Sequence, residues 1–488
     1  MGTLQAGPAG VRGRSKRRWL LPFDSRMSVD LPVEGAGEVP EGTYVVAAVE
    51  ARRGGGEPRA RLVEVLGDLA TPGVDVEVVL RHYGIPERFP EEALAAAAGL
   101  PEAPGGEDWR GREDLRGQVV VTIDGESARD FDDAVSIERV SEGFRLGVHI
   151  ADVGHYVAAG GALDREAYRR GTSVYYPERV VPMLPEALSN GLCSLRPGVP
   201  RLTMSAFLDV DRAGMVTRRR FASTVIQSAR RLTYNEVRRV LEEPRPEDAA
   251  EYGPVLGALR EMRELTAVLH GVRERRGSLD FDLPEGSVEL DTDGIVVGVL
   301  AYERNIAHRL IEEFMIAANE AVAYELVRMG VPALYRVDDA PSRERLEDLR
   351  AQLAPLGIAI KGDFDALPPA VLQGVLRQVE GRPEEELVSA MVLRTLQRAV
   401  YSPECRGHYA LASSWYTHFT SPIRRYPDLV VHRQLKALLR AAGAPGGSGA
   451  PGSAAPAERA TAPGEASSSA GAATSRMASP SEIGRAHV

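Results

Sequence analysis

Short runs of strand-forming residues, separated by turn residues, dominate the first hundred positions of the chain. Two such runs, at 43–49 and 60–66, are rich in Val, Ala and Leu, and each is followed by a glycine-containing turn. This pattern predicts part of a small β-barrel, which we place within residues 31–110. Residues 1–30 lack the pattern, and their crowded basic side chains predict an irregular leader that either contacts phosphate or is a solvated terminus.

The hydrophobic pattern changes after residues 101–111, where Pro, Gly and charged residues indicate a domain boundary. From 111 to 440, apolar strands are mixed with long helical segments, and no repeat occurs. The run 118–123 is almost continuously apolar and rich in β-branched residues, as expected of a strand buried on both faces. The segment 304–319 has apolar positions at helical spacing. These patterns predict one large domain that combines a sheet with helices.

Composition and charge narrow the class of protein. The chain has 488 residues, of which 44% are hydrophobic and 26% are charged, and this excludes wholesale disorder and a collagen-like fibre. The net charge of −10 has the wrong sign for holding nucleic acid by bulk charge, so any such role requires local positive charge. With 2 cysteines and no apolar run as long as a membrane span, we expect a cytoplasmic protein with no membrane partner.

The C-terminal segment 441–488 consists mostly of Ala, Gly, Ser and Pro. Such a composition cannot bury a core and predicts a disordered tail. Its last residues, 482–488, resemble translated sequencing-adaptor sequence, so we expect an artefactual end and a longer natural protein.

Acidic residues are concentrated between positions 124 and 133, on a loop that follows the buried strand at 118–123. Carboxylates this close raise one another's pKa unless a cation compensates, and Mg²⁺ is a common solution. Small and flexible residues in the loop allow its acids to meet around one or two ions, the arrangement used for phosphodiester cleavage. The acids in question are Asp124, Asp130, Asp132 and Asp133. A solvated acidic turn or a structural Ca²⁺ loop is the alternative, although the spacing of an EF-hand is absent.

A basic pair, Arg424 and Arg425, follows a predicted helix start at Ser421-Pro422. Arginines in the first turn oppose the helix dipole, which indicates that they serve an anionic ligand. An arginine fork binds phosphate oxygens in a bidentate manner. The alternative is a surface pair that forms an ion pair with Asp428.

A third segment, the helix predicted over 304–319, carries Arg304, His308 and Glu312 at intervals of four residues, so they should form one polar stripe. The stripe either contacts ribose and phosphate or is an exposed, ion-paired face. Among the aromatic residues, Tyr175 is a candidate for base stacking, although buried aromatics are more often part of a core.

Several motifs, all in the expected order, resemble the ribonuclease II and R family, and are nearer to its ribonuclease R branch. They are Thr122-Ile123-Asp124, the runs 129–134 and 149–153, 183–185 before 192–195, and 419–426. The resemblance implies an α+β fold with an RNB catalytic domain over 111–440, in which helices surround a mixed sheet. It also implies a partial cold-shock-like OB barrel before that domain, over 31–110.

The resemblance further implies a processive 3′→5′ exoribonuclease that hydrolyses RNA to nucleoside 5′-monophosphates with Mg²⁺, expected as two ions. The family's metal-site aspartates correspond to Asp124, Asp130, Asp132 and Asp133, and Asp132 should be the most sensitive. Arg424 corresponds to the arginine at the scissile phosphate, and Tyr175 to the aromatic that stacks near the 3′ end. Glu312 or Glu313 should contact the ribose 2′-hydroxyl. The remaining candidates for RNA contact are Arg304, His308 and Arg425.

The expected partner is single-stranded RNA, bound by a monomer that RNA-decay helper proteins could attend. Family members continue past the position of Arg440 with a helix and an OB-type domain. A catalytically impaired RNA-binding protein on the same fold is therefore the main alternative, and a DNA exonuclease is a third.

Overall fold

The computed structural model describes residues 1–6, 18–24, 27, 29–50, 58–177, 179–281, 285–292, 295–302 and 304–443. Its strands are β1 (Gly2–Ala6), β2 (Arg18–Pro22), β3 (Leu31–Glu34), β4 (Tyr44–Glu50), β5 (Arg59–Gly67), β6 (Glu113–Asp114), β7 (Val121–Asp124), β8 (Asp133–Val140), β9 (Gly143–Ala151), β10 (Val174–Tyr175), β11 (Val180–Val181), β12 (Pro200–Asp211), β13 (Val216–Gln227), β14 (Arg230–Thr233), β15 (Glu285–Leu290), β16 (Val296–Tyr302), β17 (Tyr335–Val337) and β18 (Val400–Ser402).

The α-helices are α1 (Val74–Tyr83), α2 (Glu91–Ala98), α3 (Val153–Tyr156), α4 (Ala162–Arg170), α5 (Tyr234–Glu242), α6 (Asp248–Tyr252), α7 (Pro254–Arg276), α8 (Ile306–Arg328), α9 (Arg343–Leu353), α10 (Pro369–Val379), α11 (Glu385–Thr395) and α12 (Tyr426–Ala441). One turn of π-helix covers Ala187–Leu192. Among the described helices, none is both long enough and apolar enough to cross a membrane.

The chain divides into two compact units. The first comprises Met1–Pro90, Val174–Val181 and Glu285–Tyr302, and the second comprises the rest of the described chain. The first unit contains a closed barrel with the strand order β1-β2-β3-β5-β4. Its inward-facing residues form one apolar core that includes Leu4, Leu20 and Val45. Closure satisfies the strand edges, which would otherwise expose unpaired backbone groups.

The barrel corrects two expectations about the N-terminal region. Residues 1–30 were expected to be an irregular leader, yet they contribute β1 and β2 to the barrel. These strands are only five residues long, so each shows too little alternation to be recognised in sequence. The barrel was also expected to be partial, whereas its five strands close. The basic cluster at 12–17 lies outside the described residues.

The second unit is built on a seven-stranded sheet with the order β14-β7-β8-β9-β12-β13-β6. Most neighbours are antiparallel, while β14 pairs with β7 and β6 pairs with β13 in parallel. Successive residues of β12 point to opposite faces, so Met204 and Ala206 belong to one apolar core and Phe207 to another. Helices cover the sheet, among them α7 and α8. The structure thus confirms a mixed sheet with surrounding helices.

The long helix of this unit begins slightly later than the sequence pattern indicated. Asn305 is the N-cap of α8, and its side-chain oxygen accepts the N–H of Ala307 at 2.9 Å. Arg304 therefore precedes the helix and is not its first stripe residue. The predicted tail at 441–488 lies outside the described residues from position 444 onward.

Candidate active site

The acidic cluster lies where two neighbouring strands of the large sheet end and begin. Asp124 is the last residue of β7, and Asp133 is the first residue of β8, which pairs with β7 in antiparallel fashion. Asp130 and Asp132 lie in the loop between them. The antiparallel pairing of β7 and β8 brings the two ends of the loop together at one end of these strands. The sequence predicted such a loop between strands of a packed sheet.

Two side chains from elsewhere in the sequence hold this loop in place. Arg231 Nη2 donates to the carbonyl of Gly125 at 2.5 Å. Ser194 Oγ donates to the carbonyl of Arg129 at 2.7 Å and accepts the N–H of Phe131 at 3.1 Å. Hydrogen bonds therefore hold the loop backbone near its beginning and near its end, and they limit the positions that its carboxylates can take.

Asp132 and Asp133 are buried and Asp124 is half-buried, and the charged forms of these three acids are disfavoured. Only 2% of Asp132 is exposed. Burial raises the pKa of Asp132 well above its ordinary value, although the Arg424 guanidinium acts in the opposite direction. Burial, and then the charge of Asp133, similarly raise the pKa of Asp124. Burial raises the pKa of Asp133 to about 6, again with Arg424 opposing the change. The cluster therefore needs positive charge.

Two buried carboxylate oxygens of the cluster are available as ligands for a cation. Asp124 Oδ2 and Asp132 Oδ2 are buried and accept no hydrogen bond from the described residues. Among the described residues, no group of three or more His, Cys, Asp or Glu side chains is placed so that it could hold a metal ion, so a site here would rest on one or two carboxylates. This arrangement suits Mg²⁺, which typically uses one or two carboxylates and completes its shell with water and substrate phosphate. The residues present thus fit a magnesium ion.

Arg424 lies beside the acids although it is distant in sequence. Its Nε is 3.4 Å from Asp132 Oδ2, and 46% of its side chain is exposed. The neighbouring Ile423 N–H donates to Asp132 Oδ1 at 2.8 Å. The structure therefore brings together the two segments on which the sequence prediction depended.

Arg425 has a different environment. Its Nε and Nη2 donate to Asp428 at 2.9 and 2.8 Å, and Asp428 is fully buried. Burial disfavours the charged form of Asp428, but Arg425 outweighs this and lowers the pKa of the carboxyl. The predicted helix start at Ser421-Pro422 is wrong: α12 begins at Tyr426, because Asp428 in its first turn captures the N–H of Ser421 and holds the preceding residues in a turn.

The polar residues at the start of α8 are paired within the protein. Arg304 forms ion pairs with Asp280 and Glu312. His308 accepts the N–H of Asn305 at 3.2 Å and stacks on Tyr234 with ring centroids 3.9 Å apart. Burial lowers the pKa of His308, and the charge of Glu126 in the acidic loop only partly opposes this shift. Glu126 is therefore near this end of α8.

Glu312 and Glu313 differ in accessibility. Glu313 is buried, where it accepts hydrogen bonds from Arg273 at 2.8 Å and His270 at 2.9 Å. The side chain of Glu312 is partly exposed. Of the two candidates for the ribose hydroxyl, Glu312 is therefore the accessible one, and Glu313 has a structural environment.

Tyr175 belongs to β10 of the first unit, where 49% of the residue is exposed. Its stacking role stays a prediction. His149 is buried and forms hydrogen bonds with Ser136 and Ser205 through its two ring nitrogens.

Sequence reasoning missed one buried residue that supports the arginine segment. Asn319, on the apolar face of α8, donates to Tyr416 Oη at 3.2 Å and accepts the N–H of Phe419 at 2.9 Å. An amide within an otherwise apolar helical face is the signal that could have found it.

Comparison with known proteins places this site in context. The family model described as the RNB domain matches residues 112–441, and the cold shock domain model matches residues 19–90. Ribonuclease R of Thermotoga maritima is 44% identical over 86% of this chain and 60% of its own length. Because ribonuclease R of Escherichia coli is matched over 52% of its length, the chain spans about half the length of such curated relatives.

Solved structures are similar as well. RNase R of Mycoplasma genitalium bound to ribose-methylated single-stranded RNA has a TM-score of 0.78 at 26% identity, covering 89% of this chain and 68% of that one. Its complex with double-stranded RNA has a TM-score of 0.79 at 29% identity, covering 84% and 74%. Yeast Ssd1, a pseudonuclease, has a TM-score of 0.69 at 21% identity, covering 90% and 55%, and shares the fold alone.

Proposed function

Because this chain belongs to the RNB domain family, we propose that it is a 3′→5′ exoribonuclease that processively hydrolyses RNA to nucleoside 5′-monophosphates. The observation that carries the proposal is the pairing of Asp132 with Arg424. A buried carboxylate with an unsatisfied oxygen lies 3.4 Å from an arginine whose side chain is partly exposed. Phosphodiester hydrolysis needs both a cation-binding acid and a positive group for the phosphate.

Magnesium, as two ions, is the proposed cofactor. Asp124 and Asp132 would hold it through their unsatisfied oxygens, with Asp130 and Asp133 as further members of the site. When bound, the metal supplies an activated water and neutralises charge on the leaving ribose oxygen. Burial of the acids disfavours an uncompensated cluster, so the site should be more stable when it is loaded.

Arg424 would orient the scissile phosphate. Its guanidinium can donate to two phosphate oxygens and favours the charge that develops on them during hydrolysis. Asp132 holds the neighbouring backbone through the N–H of Ile423, so the acid and the arginine keep a fixed separation. Arg425, which is engaged by Asp428, would contribute structure more than direct RNA contact.

The polar residues at the start of α8 would recognise the ribose. Glu312 has an accessible carboxylate that could accept a hydrogen bond from the 2′-hydroxyl, the group that distinguishes RNA from DNA. Arg304 and His308 lie beside it, near the acidic loop. Tyr175 would stack on a base close to the 3′ end. Single-stranded RNA is the proposed substrate. The similar Mycoplasma genitalium protein has been solved in complex with single-stranded and with double-stranded RNA, which supports this proposal.

The test uses a single-stranded oligoribonucleotide with Mg²⁺ or with a chelator. A label at the 5′ end follows shortening from the 3′ end, and a label at every phosphate identifies the nucleotides that are released. We expect 5′-mononucleotides with Mg²⁺ only, and no release from the matching deoxyoligonucleotide. Asp132→Asn should lower the rate at least about 100-fold while RNA binding persists. Asp209→Asn removes a carboxylate that pairs with Arg145 in the same sheet and serves as the control. RNA binding by the wild type without any release would favour a catalytically impaired RNA-binding protein.

A further inference from the structure

The segment 416–425, called the arginine loop below, carries Arg424 to the acidic cluster. Its backbone is held on both sides of that residue. Asp132 accepts the N–H of Ile423 at 2.8 Å. The carbonyl of Arg424 accepts the Thr172 hydroxyl and the Ser173 N–H, each at 2.9 Å. The position of the Arg424 side chain therefore depends on the shape of the arginine loop.

Asp428 lies just beyond the arginine loop, in the first turn of α12, and ties the loop to that helix. Its Oδ1 accepts the N–H of Ser421 at 2.8 Å and Arg425 Nη2 at 2.8 Å. Its Oδ2 accepts Arg425 Nε at 2.9 Å. Asp428 therefore holds one residue near the middle of the arginine loop and one at its end, and Arg424 lies between them.

We propose that Asp428 is a positioning residue for Arg424, acting through Arg425 and Ser421. The two adjacent arginines, which look equivalent in sequence, then have separate tasks. Arg424 faces the acids and the substrate phosphate, while Arg425 is the internal cation that lets a buried carboxylate hold the arginine loop. The inference rests on the proposed exoribonuclease function, because it assigns Arg424 to the phosphate.

The physical reason lies in geometry and desolvation. A bidentate arginine and carboxylate pair fixes both distance and orientation, which a single hydrogen bond does not. Replacing Asp428 with Asn removes the charge and one acceptor oxygen, and it leaves the half-buried Arg425 guanidinium without its counter-charge. The arginine loop would then relax, and a displacement of about 1 Å at a group that contacts the reacting phosphate can lower a rate about 100-fold.

The chain supplies a matched control in Asp248, at the start of α6. It is also buried, accepts Arg239 Nη2 at 2.7 Å and Nη1 at 3.3 Å, and accepts the N–H of Arg245 at 2.8 Å. Asp248→Asn therefore removes the same kind of hydrogen bonding between a carboxylate and an arginine but touches no residue of the arginine loop. A difference in kcat between the two variants therefore reports on the contact between Asp428 and the arginine loop, and not on the loss of a carboxylate in general.

The experiment measures RNA hydrolysis, RNA binding in chelator and thermal unfolding for Asp428→Asn, Asp248→Asn, Arg424→Ala and the double variant Arg424→Ala/Asp428→Asn. We expect Asp428→Asn to lower kcat about 10- to 100-fold while Kd for RNA changes less than about 3-fold. Asp248→Asn should leave kcat within about 2-fold. In the Arg424→Ala background, Asp428→Asn should cost no more than about 2-fold. Equal effects of Asp428→Asn and Asp248→Asn on kcat, or multiplicative effects in the double variant, would overturn the inference.

Two further measurements separate this inference from the proposed function. Hydrogen exchange of the peptide covering 416–425 should accelerate in Asp428→Asn and stay unchanged in Asp248→Asn, whether or not the protein hydrolyses RNA. Unchanged exchange in both variants contradicts the positioning role, whereas a wild type without hydrolysis contradicts only the exoribonuclease. If Asp428→Asn does not fold, Arg425→Lys keeps the charge but loses the fork, and it should lower kcat several-fold only when Arg424 is present.

Discussion

Replacing Ser194 with Ala should loosen the acidic loop without touching any of its carboxylates. The Ser194 side chain is fully buried, and it makes two hydrogen bonds to the loop backbone, one to the Arg129 carbonyl and one from the Phe131 N–H. The Arg129 carbonyl can recover a bond from water because Arg129 is exposed, whereas Phe131 is buried and its N–H would stay unsatisfied. An unsatisfied buried donor costs about 1–3 kcal/mol.

The assay is urea denaturation in chelator, combined with the Mg²⁺ concentration that gives half-maximal RNA hydrolysis. We expect the free energy of unfolding to fall by about 1–3 kcal/mol and the half-maximal Mg²⁺ concentration to rise about 10-fold or more, since groups that orient metal ligands typically contribute that much. Ser189→Ala is the matched control. Ser189 is buried in the neighbouring π-helix, and its hydroxyl has no hydrogen-bond partner among the described residues. Removing that hydroxyl should be neutral or slightly stabilising.

Equal unfolding free energies and equal Mg²⁺ dependence for Ser194→Ala and Ser189→Ala would contradict a role of Ser194 in holding the acidic loop. A loss of stability without a change in Mg²⁺ dependence would refute only the link between the loop backbone and the metal site.

Three further predictions concern the whole domain. Burial lowers the pKa of His149 from 6.5 to about 3, so between these pH values the unfolded chain binds a proton that the folded chain does not, and stability falls as the pH falls. In His149→Gln, the slope of unfolding free energy against pH between 4 and 6 should be lower by about 1.4 kcal/mol per pH unit, and equal slopes would contradict this. Lys436→Met leaves the buried Asp152 paired with Arg112 alone, so the free energy of unfolding should fall by about 3 kcal/mol in urea denaturation, and adding Asp152→Asn should recover part of it. A fall below about 1 kcal/mol would contradict this prediction. Mg²⁺ at about 100 times its Kd should stabilise the fold by about 2.7 kcal/mol in thermal unfolding, and Asp132→Asn should abolish that gain.

Local patterns predicted the parts of the site that lie within one stretch of sequence. The acidic loop follows a buried strand, and both its place in the sheet and its crowding follow from composition and strand periodicity. The sequence also indicated that Arg424 and Arg425 are unusual. It could not distinguish them, because the difference depends on which guanidinium Asp428 engages in three dimensions.

Other features depend on tertiary contacts that leave little trace in the sequence. Ser194 and Arg231 anchor the acidic loop from 65 and 106 residues away, and neither lies in a pattern that marks it as a partner of that loop. The barrel strands β1 and β2 are too short to show an alternation. The start of α12 was misplaced because a good local cap, Ser421, gives its N–H to Asp428 in place of beginning a helix.

The hydrogen bond between Ile423 and Asp132 joins residues 291 positions apart. At roughly 5–20 residues per second, a ribosome that has just made the acidic loop needs roughly 15–60 s to reach Ile423. Throughout that interval the nascent chain carries the aspartates without the arginine that faces them. A growing polypeptide of this sequence therefore has an incomplete acidic site for that interval, and the site can form only after residues 423 and 424 have been made.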